Sequence, residues 1–297
     1  MPRLHYAILG IGGLIIIVGI LVLVFIDTQP TEPATNVTVP EEVMPATVSS
    51  TGAKTIGHSV EGRAIEMFSF GTGEKHLLFV GGMHGGYEWN SVLLSYQFID
   101  YLNDNLGTVP TDVTIDIIPS INPDGLYAVI QKEGRFTTTD IPATTALGLG
   151  RFNANQVDLN RNFDCKWQPT SSWRSQIVSA GTRAFSEPET IALRDFVNST
   201  RPEAVIFWHS QANAVYASEC TNGVLPSTIA LMNTYAEAAN YKSVASFDAY
   251  PVTGDAEGWL ASIGTPAITV ELATHESTEW NKNLAGVKAI LDSYQAK

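Results

Sequence analysis

Residues 77–88 read LLFVGGMHGGYE, a short apolar run followed by a glycine-rich stretch that carries one histidine and one glutamate. Four consecutive apolar residues next to glycines are typical of a strand buried inside a sheet. The Gly pairs on both sides of His84 favour a loop over a helix, with Glu88 opening the helix behind it. This stretch therefore predicts a buried strand that presents two polar side chains beyond its carboxyl end.

Three more apolar runs have the same character. They are residues 113–118 (VTIDII), 204–208 (AVIFW) and 267–272 (AITVEL). Helical spacing of apolar residues covers 89–106, 187–199, 228–241 and 284–294, and Ser186 is expected to cap the second of these helices. Short buried strands that alternate with helices predict an α/β fold, a single domain with a central mixed, mostly parallel twisted sheet flanked by helices.

Composition and charge exclude several classes of protein. The chain has 297 residues, of which 44% are hydrophobic and 16% charged, so it can bury a full core and does not resemble collagen, a coiled coil or a disordered chain. Its 17 basic and 30 acidic residues give a net charge of −13. Such a surface repels phosphate backbones, and we expect no nucleic-acid partner.

The N-terminal segment predicts where the protein resides. Residues 7–26 contain no charged side chain, and their length matches the hydrocarbon core of a bilayer. A cleaved signal peptide is the alternative, but its apolar run is usually only about 7–15 residues long. Arg3 precedes this run and no basic residue follows it before Lys54, which favours a cytoplasmic N-terminus.

Four segments follow from this interpretation. Residues 1–6 form a short cytoplasmic N-terminus, residues 7–26 a transmembrane anchor in the lipid bilayer, and residues 27–50 a Thr/Pro-rich linker. Residues 51–297 form the extracytoplasmic domain. The outward location permits a disulfide between Cys165 and Cys220, with two free thiols as the alternative.

The residues at the strand ends are suited to metal chemistry. Two imidazoles, from His84 and His209, and one carboxylate form a typical ligand set for catalytic zinc that leaves one position open for water. Glu88 and Glu271 both offer a carboxylate, so a second one is available as general base. The set therefore predicts one Zn²⁺ per chain.

A second motif lies between these residues in the chain. Residues 151–163 read RFNANQVDLNRNF, with two arginines among asparagines. A guanidinium pairs bidentately with a carboxylate, so these arginines are suited to binding one. The alternative is that Arg151 and Arg161 form surface ion pairs with the surplus acidic residues.

With these motifs the sequence resembles the zinc metallocarboxypeptidases of the carboxypeptidase A and B type, from about Ile56 to the end of the chain. The resemblance implies the fold of that family and zinc held by His84, Glu88 and His209. It also implies hydrolysis of the C-terminal bond of peptides by a zinc-activated water, with Glu271 as the general base.

The resemblance extends to the residues that bind substrate. It implies that Arg151 polarises the scissile carbonyl and stabilises its oxyanion, while Asp158 orients the first zinc-binding histidine. Asn160 and Arg161 would bind the free carboxylate of the peptide substrate, and Tyr250 would cap it.

Two departures from the family pattern concern the first zinc motif. The family usually spaces this pair His-x-x-Glu, whereas HGGYE carries one additional residue, which we expect the Gly pair to absorb as a bulge. An arginine that many members carry just before the glutamate is replaced here by Gly86 and Tyr87.

Residues 27–50 are also too short for a globular activation domain, so we expect no zymogen step.

Substrate preference is open at this stage. Counting from Tyr250, Glu257 occupies the position of the family's side-chain pocket determinant and would favour a basic C-terminal residue, although Asp255 is an alternative. A cell-wall peptide whose diamino acid presents an amine is a second candidate substrate. An N-acyl amino acid deacylase and a non-catalytic binding domain are further alternatives, but the latter should have lost Glu271 or a metal ligand.

Overall fold

The computed structural model describes residues 52–143 and 148–295. The predicted anchor at 7–26 and the linker at 27–50 lie outside these residues. Within the described residues, no helix has both the length and the apolar character needed to span a membrane.

Twelve strands occur in the described chain, eight of them in one sheet. In chain order the strands are β1 (Lys54–His58), β2 (Ala64–Gly71), β3 (Lys75–Val80), β4 (Val113–Ile118), β5 (Thr170–Trp173), β6 (Gln176–Ser179), β7 (Ala204–Ser210), β8 (Ala214–Ala217), β9 (Glu219–Cys220), β10 (Gly223–Val224), β11 (Lys242–Val244) and β12 (Ala267–Leu272). β5 with β6 and β9 with β10 form two separate hairpins.

The main sheet is mixed and has the order β1-β2-β4-β3-β7-β12-β8-β11. Its centre, β4-β3-β7-β12, is parallel. β2 pairs antiparallel with both β1 and β4, and β12 pairs antiparallel with β8. The prediction of a mixed sheet is confirmed, and each of the four apolar runs forms one of its central strands.

Six α-helices flank this sheet in the described chain. They are α1 (Trp89–Asp104), α2 (Pro123–Ile130), α3 (Pro188–Thr200), α4 (Pro226–Ala239), α5 (Ala256–Ser262) and α6 (Trp280–Tyr294). Successive residues of the central strands point to opposite faces. Phe79 and Trp208 pack in one core with α1, α4 and α6, whereas Leu78 and Phe207 pack in a second core with α3 and α5.

The start of α3 differs from the prediction. The helix begins at Pro188 with Glu187 as its N-cap residue, so the expected Ser186 cap is wrong. The Ser186 hydroxyl instead donates to Glu187 Oε1 over 2.7 Å and accepts from Asn162 over 2.9 Å. These contacts hold Ser186 in the preceding loop. Pro188 suits the first helical position because it has no backbone N–H that would need a partner there.

Because the central strands are parallel, the predicted metal-binding and catalytic residues lie together at their carboxyl ends. His84 follows β3, His209 lies near the end of β7, and Glu271 lies near the end of β12. Because β7 and β12 are parallel, Glu271 is the direct cross-strand neighbour of His209. The carboxyl ends of these strands therefore define the site, as is usual in open α/β sheets.

Candidate active site

His84, Glu88 and His209 converge on one buried point. One donor atom from each of these residues lies within 4.8 Å of the others. Glu88 Oε1 is 2.7 Å from His84 Nδ1, and Glu88 Oε2 is 3.0 Å from His209 Nδ1. The two Nδ1 atoms are 3.3 Å apart. Two nitrogens and one carboxylate in this arrangement match a tetrahedral zinc site with one open position.

A single turn of 3-10 helix, Gly85–Glu88, brings the first two ligands together. Gly85 has a φ of 44°, and a Cβ atom on it would lie 2.6 Å from the carbonyl carbon of Gly125. Only glycine tolerates both constraints. The additional residue of HGGYE is thus contained in this turn, and both side chains still reach the same point.

Each imidazole faces a second carboxylate on its other side. His84 Nε2 lies 3.3 Å from Asp158 Oδ1, and His209 Nε2 lies 3.5 Å from Glu257 Oε1. Carboxylates at these positions orient metal-binding histidines. Asp158 and Glu257 thus lie on the outer sides of the two imidazoles.

Arg151 lies beside the metal site with little exposure to solvent. Its Nε and Nη2 atoms donate to Asp158 Oδ2 over 3.1 and 2.8 Å, and its Nη1 is 3.8 Å from Glu88 Oε1. The guanidinium also lies over the ring of Trp173 at 4.4 Å. These contacts fix a cation beside the cluster of His84, Glu88 and His209.

Glu271 is half-buried in the wall of the cavity. Its Oε2 atom is buried and has no hydrogen-bond partner in the described chain. Burial, together with the charge of Glu88, raises the pKa of Glu271 to about 7. A carboxylate of this kind in a cavity suits proton transfer near neutral pH.

At Glu88, Asp158 and His209, the effect of burial on the pKa is opposed and outweighed by neighbouring charges. Burial alone would raise the pKa of Glu88, but the two histidines hold it well below the ordinary value. In the same way Arg151 and Arg161 overcome the effect of burial on Asp158 and lower its pKa. Burial would lower the pKa of His209, yet Glu88 and Glu257 raise it to about 10. An acidic pocket that favours a positive charge also favours a divalent cation, which displaces that proton when it binds.

A cavity of about 440 Å³ opens over these residues, a size typical of small-ligand sites. The predicted substrate-binding residues all line it: Asn160, Arg161, Tyr250 and Glu257. Asn160 Oδ1 accepts from the Ala256 amide over 2.8 Å, and Arg161 Nη2 donates to the Ser172 carbonyl over 3.0 Å. Neighbouring backbone thus holds both residues at the wall of the cavity.

A disulfide closes one side of the cavity. Cys165, which follows the DLNRNF motif, is bonded to Cys220 of β9, and Cys165 itself lines the cavity. The bond joins two segments that are 55 residues apart in sequence. It ties the arginine-bearing loop to the β9–β10 hairpin.

Several residues of the site were not anticipated from the sequence. Trp173 and Arg174 come from the β5–β6 hairpin, and Trp173 packs edge-on against Tyr87 at 5.4 Å. His275 is half-buried, and its Nδ1 lies 2.7 Å from Ser210 Oγ while its ring packs on Tyr87 at 4.6 Å. Tyr87 thus lies in one aromatic cluster with Trp173 and His275. No local signal in the sequence links a hairpin to this distant turn.

Comparison with known proteins identifies the family. A family model described as zinc carboxypeptidase matches residues 45–291. Gamma-D-glutamyl-L-diamino acid endopeptidase 1 of Lysinibacillus sphaericus is 24% identical over 248 residues, which are 74% of this chain and 60% of that protein. The carboxypeptidase N catalytic chain of Rattus norvegicus is 38% identical over 125 residues, 36% of this chain and 25% of the relative. The chain thus spans less than two thirds of these relatives.

Solved structures share the fold. Murein-tripeptide amidase MpaA from Escherichia coli O157 superposes with a TM-score of 0.59 at 24% identity, covering 83% of this chain and 94% of that one. Carboxypeptidase A from Helicoverpa armigera superposes with a TM-score of 0.60 at 20% identity, covering 83% and 69%. The α/β fold predicted from the sequence is therefore confirmed, and the family model spans most of the chain. The chain belongs to the zinc carboxypeptidase family.

Proposed function

We propose that this chain is a zinc-dependent metallocarboxypeptidase that hydrolyses the C-terminal peptide bond of peptides. The observation that carries the proposal is the convergence of His84, Glu88 and His209 within 4.8 Å in a cavity that also holds Glu271 and Arg151. Two imidazoles and one carboxylate suit one Zn²⁺, which when bound supplies Lewis acidity towards a carbonyl and an acidified water.

Glu271 is the proposed general base. Its buried, unpartnered Oε2 atom can take a proton from the attacking water as the oxygen adds to the carbonyl carbon. The same carboxyl group then delivers that proton to the leaving nitrogen as the C–N bond breaks. The products are a shortened peptide acid and a free amino acid, with no covalent intermediate on the protein.

Arginines supply the other charges that the reaction needs. Arg151, held by Asp158 and Trp173, stabilises the oxyanion that develops on the scissile carbonyl. Arg161 and Asn160 bind the free carboxylate of the substrate. Tyr250, which packs on Phe247 at 4.9 Å, covers the bound residue at the mouth of the cavity.

Replacement of Arg161 by methionine tests the recognition of a free C-terminus. Loss of a charge-assisted contact should lower kcat/KM for peptides with a free carboxylate by about 10–100-fold, mainly through KM. The difference between a free and an amidated C-terminus should shrink accordingly. Arg135→Met, at an exposed arginine of the described chain, is the control. An unchanged ratio of kcat/KM between free and amidated peptides in Arg161→Met would contradict the role of Arg161 in binding the C-terminal carboxylate.

A second candidate substrate is a cell-wall peptide cleaved between D-glutamate and a diamino acid. The endopeptidase of L. sphaericus and MpaA, named above, favour it. A γ-glutamyl bond leaves the glutamate α-carboxylate free, three carbon atoms away from the scissile carbonyl. Arg174 is exposed at the cavity and forms no ion pair with a residue that the structure describes, so it is available to such a carboxylate. Parallel assays on a γ-D-glutamyl diamino acid, an α-linked peptide and an N-acyl amino acid distinguish the two substrates from each other and from deacylase activity.

The location of the domain is proposed from sequence alone. We infer that residues 7–26 anchor the chain in a lipid bilayer with the catalytic domain outside the cytoplasm. The full chain should remain in the membrane fraction after an alkaline carbonate wash, and protease added to intact cells should degrade the domain. Release by carbonate, or protection of the domain in intact cells, would contradict this orientation.

A further inference from the structure

The second nitrogens of the two zinc-site histidines are buried next to acidic side chains. His84 Nε2 lies 3.3 Å from Asp158 Oδ1, and His209 Nε2 lies 3.5 Å from Glu257 Oε1. Neither Nε2 atom has a hydrogen-bond partner among the described residues, so each is free to donate to the carboxylate beside it. The two pairs thus occupy equivalent positions on the outer sides of the predicted metal site.

Glu257 is held in this position by its own surroundings. Its side chain is only 6% exposed. Thr269, from the neighbouring strand β12, donates its hydroxyl to Glu257 Oε1 over 2.9 Å. This is the same oxygen that faces His209. The threonine therefore keeps the carboxylate turned towards the imidazole and restricts its rotation in the cavity.

We propose that Glu257 is a positioning residue: its carboxylate accepts a hydrogen bond from the Nε2–H of His209, so that Nδ1 of this histidine stays free for the metal. The role parallels that of Asp158 at His84, and it draws on the metal site of the proposed function. Carboxylates that accept the second N–H of a metal-binding histidine fix its tautomer and ring orientation. The 3.5 Å between the two atoms is longer than a formed hydrogen bond. Hydrogen bonds at active sites often tighten only when the ligand binds.

This role competes with the one suggested by position in the sequence. A carboxylate engaged by His209 and Thr269 has less charge to offer the side chain of a basic substrate residue. Glu257 would then influence metal affinity rather than select the C-terminal residue. The two roles predict different results for the same variant.

Zinc affinity of Glu257→Gln, measured in the full chain by competition with a chromophoric chelator, separates the roles. We expect affinity to fall about 10–100-fold, with a changed visible spectrum of the Co²⁺-substituted protein. Thr269→Val, which removes only the donor to Glu257, should cause a smaller loss in the same direction. Glu237→Gln, at an exposed glutamate of α4, is the matched control.

Unchanged zinc affinity and Co²⁺ spectrum in Glu257→Gln would overturn the proposal. That result, together with a collapse of any preference for Lys or Arg over Leu, would assign Glu257 to the substrate pocket instead. The affinity measurement does not require turnover. A chain that binds zinc but cleaves no peptide would therefore contradict the proposed function while still testing this inference.

Discussion

Glu271→Gln is expected to lower kcat/KM for peptide hydrolysis by about 10²–10⁴-fold while zinc remains bound. The amide has nearly the same size as the carboxylate but cannot accept a proton from water. Glu271 is not among the three donors that meet at the metal site, so its loss should leave metal content at one ion per chain.

Steady-state kinetics and metal analysis of the same preparation test this expectation. Glu276→Gln is the control, because Glu276 is exposed in the loop just after β12. Nearly full activity in Glu271→Gln would remove this residue from the mechanism. Loss of zinc together with activity would instead indicate a role in metal binding.

His84→Ala is expected to lose both zinc and activity. The change leaves two of the three donors, and it also leaves the buried carboxylates of Glu88 and Asp158 without the imidazole that lies between them. Zinc affinity should fall by at least about 10²-fold, because a ligand matters more than the outer groups, whose loss typically costs 10–100-fold.

The matched control is His58→Ala, at an exposed histidine of β1. Both variants are assayed by elemental analysis after dialysis and by peptide hydrolysis with added zinc. His58→Ala should retain one zinc per chain and full activity. Full retention of zinc by His84→Ala would show that the metal does not bind at this cluster.

The central strands were predictable because their sequences allow few alternatives. The runs 113–118 and 267–272 coincide with β4 and β12, since short continuous apolar segments with β-branched residues fit a strand covered on both faces. Parallel strands bring their carboxyl ends to one edge. The meeting of His209 with Glu271 follows from this topology.

Other features depend on contacts that no local pattern encodes. The number of residues between Tyr250 and Glu257 predicts a substrate-pocket role for Glu257. Its proximity to His209 instead arises from the packing of α5 against β12. The stacking of Trp173 on Arg151 depends on where the β5–β6 hairpin folds back. Tertiary packing decides such contacts. In the same way, the contacts of Ser186 with Asn162 and Glu187 keep it out of the predicted N-cap position, so α3 begins at Pro188.

The extra residue in HGGYE shows how far sequence spacing can mislead. One additional residue could have separated the two ligands. Gly85 adopts a left-handed conformation, and the turn still brings His84 Nδ1 within 2.7 Å of Glu88. Spacing alone could not establish this, because the outcome depends on the freedom of glycine at that position.

One measurement tests the central claim most directly: the products released by the full chain from a peptide mixture, followed by mass spectrometry with zinc, with chelator, and after zinc is restored. The account predicts release of single C-terminal residues that stops with chelator, returns with zinc and is absent in Glu271→Gln. Release that persists in chelator at zero bound zinc, or none from any peptide by the zinc-loaded chain, would contradict it.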